Sequence, residues 1–137
     1  MKNFQSESKK SGDKFEDLVY EDLKRSGIKK IKKNVLLENL GIEADFAFYD
    51  IADRQTYVEA KGGESGGNKK PGAKRTDNVK KAIANGALIK AEYPDVQFVV
   101  YFSELPKHGS SSHKMLKSAI RHGYVDAVRY LINYGQN

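Results

Sequence analysis

The triplet Glu59-Ala60-Lys61 sets a carboxylate and an amine two residues apart. On a β-strand, where side chains alternate, Glu59 and Lys61 fall on one face with Tyr57, while Val58 and Ala60 take the other. Asp45 lies in the preceding stretch from Ala44 to Tyr49, and an antiparallel hairpin would bring its carboxylate beside that of Glu59. Two carboxylates so placed repel, and a hard divalent cation relieves the repulsion. Magnesium accepts few carboxylates, keeps several waters and leaves positions open for a phosphate oxygen, with manganese expected to substitute. Hydrolysis of a phosphodiester needs a Lewis acid on the non-bridging oxygen, an activated water and stabilisation of the charge that develops. Asp45 and Glu59 can hold the ion, the backbone carbonyl of Ala60 can add a ligand, and the Lys61 ammonium can orient the water or, with a lowered pKa, act as base. The plain alternative is that Glu59 and Lys61 form a solvated surface pair. Asp45 stands among Ala44, Phe46, Ala47 and Phe48, where an unpaired carboxylate is costly to bury, which favours a ligand role. The adjacent Glu43 can replace either acid.

The elements that must position these groups follow from apolar spacing and turn residues. Phe15, Leu18, Val19 and Leu23 recur at helical spacing between Asp13 and Ser26, and Gly27 is placed as a stop. Ile28 to Leu37 mixes β-branched residues with lysines, as an edge strand does to discourage pairing with other chains. A strand over Ala44 to Tyr49, a turn over Asp50 to Arg54 and a partner strand over Gln55 to Lys61 complete a hairpin. Gly62 to Lys74 holds five glycines, a proline, a serine and an asparagine, so a mobile basic loop is expected over 62–75. Thr76 or Asp77 can cap a helix reaching about Ala91, with Val79, Ala82, Ile83 and Ala87 inward. Val96 to Phe102 is nearly all apolar or aromatic, the mark of a strand buried on both faces. Ser111 or Ser112 can cap a helix through Arg121, and Val125, Val128, Leu131 and Ile132 suggest a final amphipathic turn or two. The stretch from Ala119 to Gly135 resembles half an ankyrin repeat, yet no second copy exists to bury its face.

A chain of 137 residues with 39% hydrophobic and 31% charged residues suits one α/β domain, expected over 13–137 behind a flexible tail over 1–12. Without cysteine there is neither disulfide nor thiolate chemistry. No apolar run approaches the roughly 20 residues that span a bilayer, so a soluble, intracellular and cytoplasmic protein without membrane partners is expected. The net charge of +6 is unevenly placed. From Lys61 to Lys81 seven cations face only Glu64 and Asp77. Such a strip favours a polyanion, because neutralising phosphates releases condensed counterions. Lys69, Lys70, Lys74 and Arg75 are the expected phosphate contacts from the loop. Asn78 in the first turn of the next helix can hold a phosphate or a metal-bound water. Lys80 and Lys81 can be a solvated face, of which Lys81 joins the nucleic-acid set. His108, His113 and His122 are scattered without metal spacing.

The order Gly12-x-x-Phe15-Glu16, then Glu43-Ala44-Asp45, then Glu59-Ala60-Lys61 resembles the PD-(D/E)XK nuclease superfamily over about Gly12 to Phe102. The resemblance implies a restriction-endonuclease-like α/β fold, with a mixed central β-sheet flanked by helices. It also implies magnesium on Asp45 and Glu59, water assisted by Lys61, and Glu16 of the first helix joining the metal shell. Ala44 stands where the family usually has proline. The implied activity is that of a magnesium-dependent endonuclease cutting duplex DNA, restriction-like or homing-like, as a homodimer whose two sites cut two strands. A Holliday-junction resolvase carries the same residues, and a basic nucleic-acid-binding module with an idle site is the non-enzymatic alternative.

Overall fold

In a computed structural model of the chain, the structure describes residues 4–62 and 76–132, with side chains from residue 14 onward. The elements run α1 (Phe4–Arg25), β1 (Lys32–Leu37), β2 (Ile42–Tyr49), β3 (Gln55–Lys61), α2 (Thr76–Glu92), β4 (Gln97–Phe102), α3 (Ser111–Arg121) and β5 (Ala127–Tyr130). The five strands form one mixed sheet in the order β1-β2-β3-β4-β5. The first three pair antiparallel, and β4 and β5 then add in parallel.

Alternation along the strands sorts the core into two layers. On one face α1 lays Phe15, Val19 and Leu23 onto Phe46, Phe48, Val58 and Tyr101. The Tyr101 hydroxyl donates to Asp22 Oδ2 at 2.9 Å and so ties α1 to β4. On the other face α2 and α3 bring Val79, Ala82, Ile89, Leu116 and Ala119 against Phe98, Val100 and Phe102. Thus β4 is covered on both sides, as its apolar run requires, and each fully buried phenylalanine contributes on the order of 1.5–3 kcal/mol. Leu18, expected inside, is 37% exposed. On α2 the inward positions include Gly86 and Ile89, while Ile83 and Ala87 are only partly buried.

Several elements differ from the sequence expectation. Helix α1 begins at Phe4, inside the stretch expected as a flexible tail. Residues 5–10 contain no proline or glycine and are helix-tolerant, but without an apolar stripe they give no periodic signal. The cap of α3 is Ser110, whose hydroxyl accepts from the His113 N–H at 3.3 Å. The expected last amphipathic helical turn is instead β5. Gly123, at φ 78°, turns the chain out of α3, and Ala127 to Tyr130 then pair with Val99 to Phe102. Valine and tyrosine suit that strand, and burial against β4 outweighs their helical spacing.

Candidate metal centre

Asp45 sits where β2 loses its regular neighbours. The register of β1 with β2 runs from Lys33↔Phe46 to Val35↔Ala44 and steps over Asn34 and Asp45. That of β2 with β3 ends at Phe46↔Val58, one step short of setting Asp45 opposite Glu59. Asn34 takes a left-handed backbone at φ 52°. Ile42 and Phe46, although four apart, belong to different core layers. The alternation of β2 is therefore broken between them, and such irregularities re-aim side chains. The Asp45 carboxylate is re-aimed into the sheet, where its Oδ2 accepts from the Ala60 N–H at 2.7 Å. The N–H and carbonyl of a strand residue point to the same side, so the Ala60 carbonyl faces the same gap. The Lys61 carbonyl points the other way and accepts from the Ser103 N–H at 3.3 Å.

Glu59 and Lys61 leave β3 on the face covered by α2, as alternation predicts. Glu59 is 4% exposed. Its Oε1 accepts from the Asn85 side-chain amide at 2.6 Å, while Oε2 is buried without a hydrogen bond. The Lys61 ammonium stands 3.7 Å from that oxygen, which gives charge attraction beyond hydrogen-bond reach. Burial pushes the Glu59 carboxyl above its usual range. Lys61 and the Asn85 hydrogen bond pull it back, and the nearby charge of Asp45 pushes it up again. Each of the two acids ties one oxygen to the protein, and a buried oxygen left over on Glu59 is costly unless something positive meets it.

No family model and no curated protein matches this chain.

Carboxylates and a backbone carbonyl are donor types that suit a hard cation, and Asp45, Glu59 and Ala60 carry them on neighbouring strands. Among the described residues no group of three acid, histidine or cysteine side chains gathers; Asp45 is tied to β3 at the Ala60 N–H, and Glu59 to α2 at Asn85. Glu16 is partly buried on α1. It directly follows Phe15, whose ring lies so close to Gly62 that a Cβ there would meet it at 2.3 Å. Glu16 therefore stands at the Lys61 end of β3. The exposed Glu43 pairs with Leu36 of β1. Asn78 is partly buried and Lys81 exposed, both on the α2 flank that carries Asn85. Lys69, Lys70, Lys74 and Arg75, and all of the expected loop except Gly62, lie outside the described residues. Asn85 was missed in the sequence. Its only signal is a spacing of seven residues from Asn78, which repeats an amide on one helical flank.

Proposed function

We propose that this chain is a magnesium-dependent endonuclease that hydrolyses phosphodiester bonds in duplex DNA, with a PD-(D/E)XK-type site. The observation that carries this reading is the Glu59 carboxylate, held by Asn85 at one oxygen and left with the other buried, unbonded and 3.7 Å from the Lys61 ammonium. Asp45, fixed on the Ala60 N–H, supplies the second acid from the neighbouring strand.

Magnesium, bound by Asp45, Glu59 and the Ala60 carbonyl, would polarise the phosphoryl oxygen and lower the pKa of a bound water. The protein's own contributions are positional. The Ala60 N–H fixes the Asp45 rotamer, and Asn85 fixes that of Glu59. The partly exposed Lys61 ammonium orients the attacking water and offsets the charge that grows on the phosphate. Glu16, which follows Phe15 on α1, is the proposed additional ligand or water holder. One site cuts one strand, so scission of a duplex calls for two copies. No helix among the described residues is long and apolar enough to cross a membrane.

The test is cleavage of supercoiled plasmid and of a synthetic four-way junction with magnesium, manganese or calcium at stated salt. Linear product with magnesium or manganese, lost in Lys61→Ala and Asp45→Asn, supports the duplex nuclease. A strong preference for the junction replaces it with the resolvase. Binding without cutting in any metal replaces it with the idle module.

A further inference from the structure

The corner where α1 ends and β1 begins carries a charge that neither the core nor the metal site uses. Lys24, Arg25, Lys29, Lys30, Lys32 and Lys33 place six cations within ten residues with no acid among them, and all six are exposed. The two acids just before them are engaged. Asp22 accepts the Tyr101 hydroxyl at 2.9 Å, and Glu21 lies 4.0 Å from Lys24. The cations are also gathered rather than dispersed. The Lys33 ammonium lies 4.0 Å from the centre of the Tyr20 ring and that of Lys24 lies 5.3 Å from it, so one aromatic ring collects two like charges. The backbone is held in unfavourable conformations here as well, with left-handed φ at Lys30 (55°) and Asn34 (52°). For a lysine that conformation has no local compensation of the kind asparagine can find. Strain and like-charge crowding in one place mark a surface kept for a partner.

Lys24 and Arg25 have a structural use, since cations suit the C-terminal end of a helix. Lys32 and Lys33 also keep an edge strand from pairing with other chains. Neither use accounts for Lys29 and Lys30, nor for the position of the group. Lys33 pairs with Phe46 and Val35 with Ala44, so Asn34 lies level with Asp45 across one strand spacing. The strand edge that carries Lys32 and Lys33 therefore runs past Asp45, with the backbone of Asn34 two strands from that of Glu59, roughly 10 Å at the usual strand separation, while Lys24 and Lys33 gather on Tyr20 at the α1 face.

We propose that this corner is a second phosphate-backbone contact surface, engaging nucleic acid beside the scissile position and independently of the glycine-rich loop. It rests on the nuclease reading only for the identity of the polyanion. The corner needs no metal to bind.

The experiment is equilibrium binding of a short labelled duplex in EDTA over a salt series. It compares the full chain, the variant Lys29→Glu/Lys30→Glu/Lys32→Glu and a control variant Lys107→Glu/Lys114→Glu/Lys117→Glu. The control changes the same net charge at exposed lysines on and before α3. Charge reversal preserves the edge-protecting role of Lys32, and a Lys→Gln version of the corner variant, checked by thermal melting, covers a folding defect. The corner variant is expected to bind at least about tenfold more weakly, with the slope of log K against log salt reduced by about 2–3. The control is expected to change far less. Equal losses in both variants would reduce the effect to the net field of the protein and overturn the proposal. So would a duplex affinity that ignores the corner while binding to phosphatidylglycerol vesicles depends on it. A corner-dependent affinity in a protein that cuts nothing with magnesium would remove the nuclease reading and leave this surface standing. Efficient cleavage with corner-insensitive binding would do the reverse.

Discussion

Two acid–lysine pairs in this molecule are built from the same chemical parts and arranged in opposite ways. Lys90 of α2 meets Asp126 at 2.8 and 3.0 Å and gives a further hydrogen bond to the Val96 carbonyl at 2.8 Å. Asp126 Oδ2 also accepts the Phe98 N–H at 2.8 Å, and the Asp126 N–H donates to the Phe98 carbonyl at 2.9 Å. Both oxygens are used, and the pair clamps α2, β4 and the turn leading into β5. Glu59 and Lys61 stand 3.7 Å apart, with one buried glutamate oxygen bonded to nothing. The fold can evidently saturate a carboxylate when the purpose is to hold elements together. The difference teaches that the deficit at Glu59 is not a general feature of acid–lysine pairs in this fold, and the proposed cation would make use of it.

The largest expected effect comes from exchanging the roles of the two lysines. Lys61→Ala is expected to lower plasmid cleavage at least about 10²-fold, the scale for losing one group that stabilises developing charge. Its melting temperature should fall less than that of Lys90→Ala, because Lys61 stands 3.7 Å from Glu59 and the carboxyl, already raised by burial, can take up a proton when the ammonium is lost. Lys90→Ala should do the opposite. Both partners of that pair are less than a third exposed, at 16% and 27%. Leaving Asp126 unpaired should therefore cost roughly 2–3 kcal/mol, somewhat below the figure for a fully buried pair. The measurements are a melting curve and a cleavage time course on both variants. If Lys61→Ala unfolds the protein and Lys90→Ala abolishes cutting in a folded one, the assignment of the two pairs is reversed.

An intermediate effect is expected at Asn85, which gives Glu59 the counterpart of what the Phe98 N–H gives Asp126. Asn85→Ala frees the held oxygen and lets the carboxylate rotate. Removing a group that orients a metal ligand typically costs about 10–100-fold in metal affinity. Titration calorimetry with magnesium or manganese should show a loss on that scale, with little change in melting temperature. An unchanged affinity would mean that the 2.6 Å hydrogen bond only ties α2 to the sheet.

How much of this was legible beforehand depended on how local each feature is. Glu59 and Lys61 share a face because strands alternate, and the helix expected after the glycine-rich stretch is α2 (Thr76–Glu92), so both could be read directly. The α/β class followed from the same spacing. Asn85 could not be read, because an amide reaching a carboxylate across two layers depends on how α2 lies on β3. Nor could β5, since a four-residue strand takes its identity from pairing with β4. The irregularity at Asn34 and Asp45 was equally hidden: it exists only once three strands are laid side by side.

The smallest effect, and the one that isolates the unsatisfied oxygen, concerns stability against pH. Burial raises the Glu59 carboxyl above its unfolded range, so the folded state holds its proton more tightly than the unfolded chain does. The native protein is therefore favoured, relative to neutral pH, at values below the unfolded pKa of about 4.3. That advantage disappears as pH rises through the folded value, where ionising Glu59 costs stability. Glu59→Gln abolishes the ionisation and keeps the shape. The metal-free variant should be more stable than the parent at neutral pH, by on the order of 1 kcal/mol, the scale for relieving one buried unsatisfied group. The difference should shrink as the buffer is taken down towards that acid range. Magnesium should invert the order, because a ligand present at about 100 times its Kd stabilises the parent by about 2.7 kcal/mol and the variant by much less. Melting both proteins across pH, with and without magnesium, separates the two contributions. A Glu59→Gln variant that is less stable than the parent at neutral pH without metal would show that the ionised carboxylate is already satisfied, as Asp126 is, and the case for a cation in this pocket would fall with it.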